Sequence, residues 1–323
     1  MAEVLAGRGL DSGGWAIPGW SAGDAVAMMD RQGIATGVLS VTAPGTHFGD
    51  DAEARTLSRA VNEYCAELVK DRPDRFGHFA SIPLPDVGGA VAEAVHALDT
   101  LRGDGVALMS NVDGRYLGDP DFAPLWTELD RRRAVVFVHP AQPPMPLLAG
   151  TPAPLADYVF DTTRAALNLV LTGMLGRFPN VRVILSHGGG FLPYAAYRFS
   201  GLTSTVVDTT RDADDVIREL KRFYFDTALS ASPSALPALL EFAEPGHVLY
   251  GSDWPFAPER AGSYLQPVPG AVPAFRRRRG RRDRPRQRGG ALPAPGGLIR
   301  RDDGGGSAGQ LKGNGDRQVT PPR

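Results

Sequence analysis

The chain has 323 residues, 42% of them hydrophobic and 22% charged, one cysteine, and a formal net charge of -1. That length suits one barrel-sized domain, and a lone cysteine excludes an intrachain disulfide and a cysteine zinc cluster. No run of about 18 apolar residues is present and no basic-then-apolar leader opens the chain, so a cytoplasmic protein with no membrane partner is expected.

Residues 1–20 hold no strand-like run and read as an irregular stretch rich in Gly and Trp. Ser21 is placed to cap a helix over 22–32. Strands are predicted over 37–42, 76–82, 105–110, 135–139, 181–186, 223–226 and 248–251. Between them, helices are predicted over 50–70, 87–101, 123–132, 160–178, 192–200 and 232–244. Pro73 and the Pro179-Asn180 pair mark helix ends. Strands and helices alternate, which implies parallel strands joined by right-handed crossovers. The fold class is therefore α/β, a (β/α)8 TIM barrel with its first strand and last helix missing.

The two parts of the chain differ in charge. Residues 1–266 carry 21 Lys and Arg against 32 Asp and Glu, whereas residues 267–323 carry 14 against 4. The second part holds 12 Gly and 8 Pro, with nine Arg in the stretch 276–288. It lacks the apolar periodicity of a packed core, and a disordered or out-of-frame tail is expected. Its arginines would hold phosphate backbones without specificity, so no specific nucleic-acid partner is expected.

Three segments carry the chemistry: VVFVHP at 135–140, VILSHGGG at 183–190 and VLYGSDWPF at 248–256. In each, a strand-like run stops at a group able to bind a metal or move a proton: His139, His187 and Asp253. The C-terminal ends of barrel strands converge on one face, so three groups far apart in sequence are expected to form one site. His47 and Asn111, in loops on that same side, are candidate substrate-binding residues. Trp15, Trp20, Trp254 and Phe256 are candidates for an apolar wall against an aromatic ring. Trp126 and Cys65 are expected to be helix packing.

These motifs, together with GWAIPGWS, MDRQGIATGVLSV, HFGDD and YLGDPDF in that order, resemble the amidohydrolase-related metal-dependent decarboxylases and hydrolases. That family includes the aminocarboxymuconate semialdehyde and 6-methylsalicylate decarboxylases. The resemblance implies that His139 is a metal ligand, Asp253 a ligand or proton donor, and His187 a catalytic group that positions water or substrate. It implies a divalent metal, zinc first and manganese second. The expected activity is decarboxylation of a small aromatic or unsaturated carboxylic acid, with metal-dependent hydrolysis of an ester, lactone or amide as the alternative. Family members are often dimers, so a homodimer is an expectation too. The family's first-strand His-x-His pair has no counterpart in this sequence. One expectation covers both anomalies: a start codon placed late and a reading-frame shift near 262–272. The contrasting expectation is a non-catalytic barrel remnant.

Overall fold

The computed structural model describes residues 2–257. The strands are β1 (Gly37–Leu39), β2 (Phe76–Ser81), β3 (Gly105–Met109), β4 (Asn111–Val112), β5 (Arg115–Tyr116), β6 (Val135–His139), β7 (Arg182–Leu185), β8 (Tyr224–Asp226) and β9 (Val248–Leu249). Seven of them form one parallel sheet in the order β1-β2-β3-β6-β7-β8-β9, and β4 and β5 form a separate hairpin. The helices are α1 (Ala2–Gly7), α2 (Ala22–Gln32), α3 (Asp51–Asp71), α4 (Val87–Val95), α5 (Ala123–Arg131), α6 (Asp157–Leu171), α7 (Met174–Arg177), α8 (Leu192–Leu202), α9 (Ala213–Leu220) and α10 (Ala235–Phe242). Sheet order follows chain order, as in a (β/α)8 barrel. Seven strand positions are filled among the described residues, none of them before Gly37.

Side-chain alternation divides the sheet into two faces. Phe79, Ala107, Val135, Ile184 and Leu249 form one cluster, with Phe137 against it, and this is the interior of the barrel. Phe79 and Phe137 stack there with ring centroids 5.6 Å apart. Val106, Leu108, Val136, Val138, Val183 and Leu185 alternate with them and face the helices, in the largest apolar cluster. Burial on both faces is why the strands read as continuous apolar runs.

Helix boundaries follow local chemistry. The Ser21 hydroxyl accepts the N–H of Asp24 at 3.1 Å, and α2 ends on Gly33 in the left-handed region. Three expectations need correction. The stretch 1–20 is not wholly irregular, since it contains α1. The helix expected over 160–178 is two helices, α6 and α7, divided where Gly173 takes φ 73°. The helix α9 and the β4–β5 hairpin were not anticipated, although the buried Val216, Ile217 and Leu220 of α9 are at helical spacing; the hairpin strands are two residues each, too short to show a period. Trp126 is buried as expected and donates from its indole N–H to the carbonyl of Leu117. The place where the last helix is expected to be missing, the boundary at 266/267 and the Arg-rich stretch lie outside the described residues. Among the described residues no helix is long and apolar enough to cross a membrane.

Candidate active site

His139 closes β6 on the same face as Phe137, so its imidazole enters the top of the barrel interior, edge-on to that ring at 6.5 Å between centroids. Its Nδ1 donates to the carbonyl of Pro140 at 2.8 Å, which leaves the lone pair on Nε2. Burial, reinforced by nearby His187, pushes the imidazole down to about 3, so the ring is neutral and able to ligate.

His187 follows β7 in the left-handed region at φ 54°. Its backbone N–H donates to Asp226 at 2.9 Å and its Nδ1 donates to the carbonyl of Ala228 at 3.1 Å, again leaving Nε2 free to coordinate. The rings of His139 and His187 lie 6.1 Å apart at 71°. Asp253 follows β9, and it too is left-handed, at φ 53°. Two of three site residues thus hold a backbone conformation that costs an L-residue energy, a feature that clusters at functional sites. Burial pushes the Asp253 carboxyl up to about 6, His187 draws it back, and Asp226 adds to the rise.

One ligand atom from each of His139, His187 and Asp253 lies within 4.8 Å of the others. Two imidazoles and a carboxylate match the donor set of a catalytic divalent-metal site with three protein ligands. The carbonyls that accept from each Nδ1 fix tautomer and ring orientation, as outer partners of metal-binding histidines do. The residues present therefore fit a divalent ion.

The glycines around the site permit close approach. A Cβ on Gly189 would lie 2.8 Å from the Phe225 ring, and one on Gly251 would lie 2.9 Å from the Asp226 carboxyl carbon. The SHGGG and YGSD motifs are thus backbone requirements as well as carriers of His187 and Asp253.

Beside the triad lies a cavity of about 550 Å³, whose lining includes Ser81, Met109, Asn111, Ala141 and Tyr158. His139, His187 and Asp253 are not part of that lining. The two meet through Met109, the register partner of His139, and through Ala141, two residues beyond it. His47 and Asn111 both line the cavity, but their hydrogen-bonding groups are engaged. The Asn111 amide donates to Asp161 at 2.7 Å and to the carbonyl of Gln142 at 3.0 Å, and its oxygen accepts the N–H of Gly114 at 3.1 Å. His47 pairs with Asp51 at 3.0 Å through Nε2 and accepts the Gly49 N–H through Nδ1. Trp20 and Trp254 pack against the cluster of α2 that includes Met28 and Met29, and neither they nor Trp15 nor Phe256 line the cavity. The cavity's apolar lining comes instead from residues such as Val41, Ile82, Leu84 and Met109.

Two residues escaped the sequence reading. Asp226 ends β8 just as His139 ends β6, so the strand-end rule was available for it. Asp161, within α6, is fully buried and accepts hydrogen bonds from the side chains of Ser110, Asn111 and Tyr116. No spacing in the sequence marks it.

Comparison with known proteins gives the family. A 6-methylsalicylic acid decarboxylase of Penicillium expansum is 40% identical over 268 residues, spanning 81% of this chain and 83% of that protein. A crystal structure described as amidohydrolase II superposes with a TM-score of 0.74 at 33% identity, covering 80% of this chain and 84% of the other. The 5-carboxyvanillate decarboxylase of Novosphingobium aromaticivorans, solved with manganese and 4-hydroxy-3-methoxy-5-nitrobenzoic acid, gives 0.67 at 25% identity, covering 78% of this chain and 73% of that one. Residues 10–268 match the profile of the amidohydrolase family, and this chain belongs to that family.

Proposed function

We propose that this chain is a metal-dependent carboxy-lyase acting on a small aromatic carboxylic acid of the hydroxybenzoate type. The observation that carries the reading is the convergence of His139, His187 and Asp253 within 4.8 Å at the strand ends, beside a cavity with room for one ring. The 40% identity to a 6-methylsalicylic acid decarboxylase supports the same chemistry. The hydrolase alternative has no comparable support among these relatives.

His139 and Asp253 would hold the divalent ion, with the His187 imidazole facing the same point. When bound, the ion supplies a Lewis acid that draws charge from a carboxylate and an adjacent oxygen. Zinc suits the two nitrogens and one oxygen, and manganese is the metal in the 25%-identical carboxyvanillate decarboxylase. The protein's own contribution is to place the carboxylate-bearing carbon against a proton source. A proton carried on the second oxygen of Asp253, or on His187 Nε2 in place of a metal bond, would pass to that carbon; the bond to the carboxylate then breaks, its electron pair returns to the ring, and carbon dioxide leaves. Positioning a single ring against that proton source is a large part of such catalysis.

The test is to load the full chain with manganese or zinc, supply 6-methylsalicylate, and follow carbon dioxide and 3-methylphenol. Release of both supports the reading. Failure with every hydroxybenzoate tried, alongside hydrolysis of an aryl ester or lactone, would overturn it.

A further inference from the structure

Among the described residues, one buried polar group of the cavity lining has no hydrogen-bond partner. Ser81 is the last residue of β2 and shares the interior face with Phe79. It lines the cavity, it is only 5% exposed, and its hydroxyl meets no hydrogen-bond partner among the described residues. A buried hydroxyl without a partner is costly, and native proteins keep few of them. The other buried or half-buried polar groups of the lining are already bonded. Thr46 bonds Ser58 at 2.8 Å, Tyr158 faces the Ser12 hydroxyl at 3.4 Å, and His47 and Asn111 are engaged as described.

The position of Ser81 is fixed with care. The side chain of Asn62, on α3, accepts the N–H of Ser81 at 2.7 Å and donates to its carbonyl at 3.0 Å. The same amide donates to Glu93 at 2.8 Å, and Glu93 is ion-paired to Arg59. The backbone carrying the free hydroxyl is therefore clamped to a helix. In register, Ser81 pairs with Ala107 and Ala107 with Phe137, the interior residue directly below His139. Two strand spacings, roughly 10 Å, separate β2 from β6. A one-ring acid with its carboxylate toward His139 bridges that span with the help of the two side chains.

We propose that Ser81 is a specificity-determining residue that hydrogen-bonds a ring hydroxyl of the substrate, selecting hydroxylated aromatic acids over their deoxy counterparts. The assignment rests on the carboxy-lyase reading and adds a residue to it. Apolar walls accept either kind of ring. Beside the ion, a placed polar partner separates them, because a ligand lacking its hydroxyl leaves Ser81 unpaired, and the Ser81→Ala comparison isolates that share.

The experiment uses dead-end analogues in which a nitro group replaces the carboxylate, so that nothing is consumed. Binding of 3-methyl-2-nitrophenol and of 2-nitrotoluene to the manganese-loaded full chain is measured by calorimetry for the wild type, Ser81→Ala and Ser81→Thr. Ser81→Ala is expected to bind the nitrophenol about tenfold more weakly, the equivalent of one neutral hydrogen bond. Its affinity for nitrotoluene should be unchanged. Ser81→Thr, which keeps a hydroxyl, should retain the preference. An unfolding temperature for Ser81→Ala at or above that of the wild type would confirm that binding, not folding, is being read. Equal weakening toward both ligands, or no weakening toward the nitrophenol, overturns the assignment while carbon dioxide release from 6-methylsalicylate still stands. A wild type that binds neither analogue and releases no carbon dioxide overturns both.

Discussion

The backbone N–H of His187 and that of Ala228 converge on a single carboxylate oxygen of Asp226, at 2.9 and 3.0 Å. The turn after β7 and the turn after β8 are thereby held by one buried side chain. Burial pushes its carboxyl above the usual range, and His187 and the two backbone donors pull it back. Asp226→Ala would strand both N–H groups and is expected to cost about 3 kcal/mol. Asp226→Asn keeps an acceptor oxygen and is expected to cost about 1 kcal/mol. Urea unfolding of both variants decides the matter, since equal stability would mean the oxygen is not holding the turns.

Metal content tests the triad directly. After gel filtration, His139→Ala and Asp253→Asn are each expected to retain less than about a tenth of the wild-type manganese or zinc, since two remaining donors make a poor site. Free metal at about 100 times its dissociation constant should stabilise the wild type by about 2.7 kcal/mol. That increment should vanish in Asp253→Asn and return to zero in the wild type on adding a chelator. Full metal content in both variants would remove the triad from the metal account.

The positions of the strands were legible because a strand covered on both faces must be apolar throughout, and all seven predicted strands of the parallel sheet are present, six of them shortened and 135–139 at full length. His139, His187 and Asp253 were legible for a related reason. Each is the first group able to hold a metal after such a run, one to four residues past it, and a parallel sheet gathers those strand ends on one side. The direction of the remaining side chains was not legible. Trp254 neighbours Asp253 in sequence, yet it packs toward α2, because the left-handed backbone at Asp253 turns the chain aside. Asn111 sits at the cavity as expected, but its amide is committed to Asp161, fifty positions away, through a buried bond that no sequence pattern records. A serine at a strand end reads as ordinary in sequence, and only its three-dimensional neighbours show that no described residue bonds the Ser81 hydroxyl.

Acid stability is expected to depend in part on Glu128. Arg131, aided by Arg132, holds its carboxyl down to about 2, against 4.5 for a free glutamate. A folded-state value below the unfolded one means that this contribution is fully present above pH 4.5 and is lost as pH falls toward 2. The side chain is 18% exposed, so solvent screens part of the effect. Glu128→Gln should lower stability at pH 6 and flatten the loss between pH 5 and pH 2. Parallel stability curves for the two proteins across that window would rule the ion pairs out as a source of acid sensitivity.

Two glycines with positive φ should respond differently to alanine. Gly246 has φ +84° and open space around its missing Cβ, so Gly246→Ala bears only the left-handed penalty of about 1–2 kcal/mol. Gly190, at φ +65°, would place a Cβ 2.1 Å from the Val159 carbonyl oxygen and 2.7 Å from the Thr163 hydroxyl, both on α6. That hydroxyl accepts the N–H of Phe191 at 2.8 Å, so the helix cannot yield without breaking a bond of its own. Gly190→Ala is therefore expected to cost about 4 kcal/mol or more, in the range that marks a steric or strained-backbone defect. Because α6 also carries Asp161, the displacement should reach Asn111 and the cavity wall. Weakened binding of 3-methyl-2-nitrophenol by Gly190→Ala, with Gly246→Ala unaffected, is the expected result, and equal stability of the two variants would show that α6 does not abut the SHGGG turn as tightly as the structure places it.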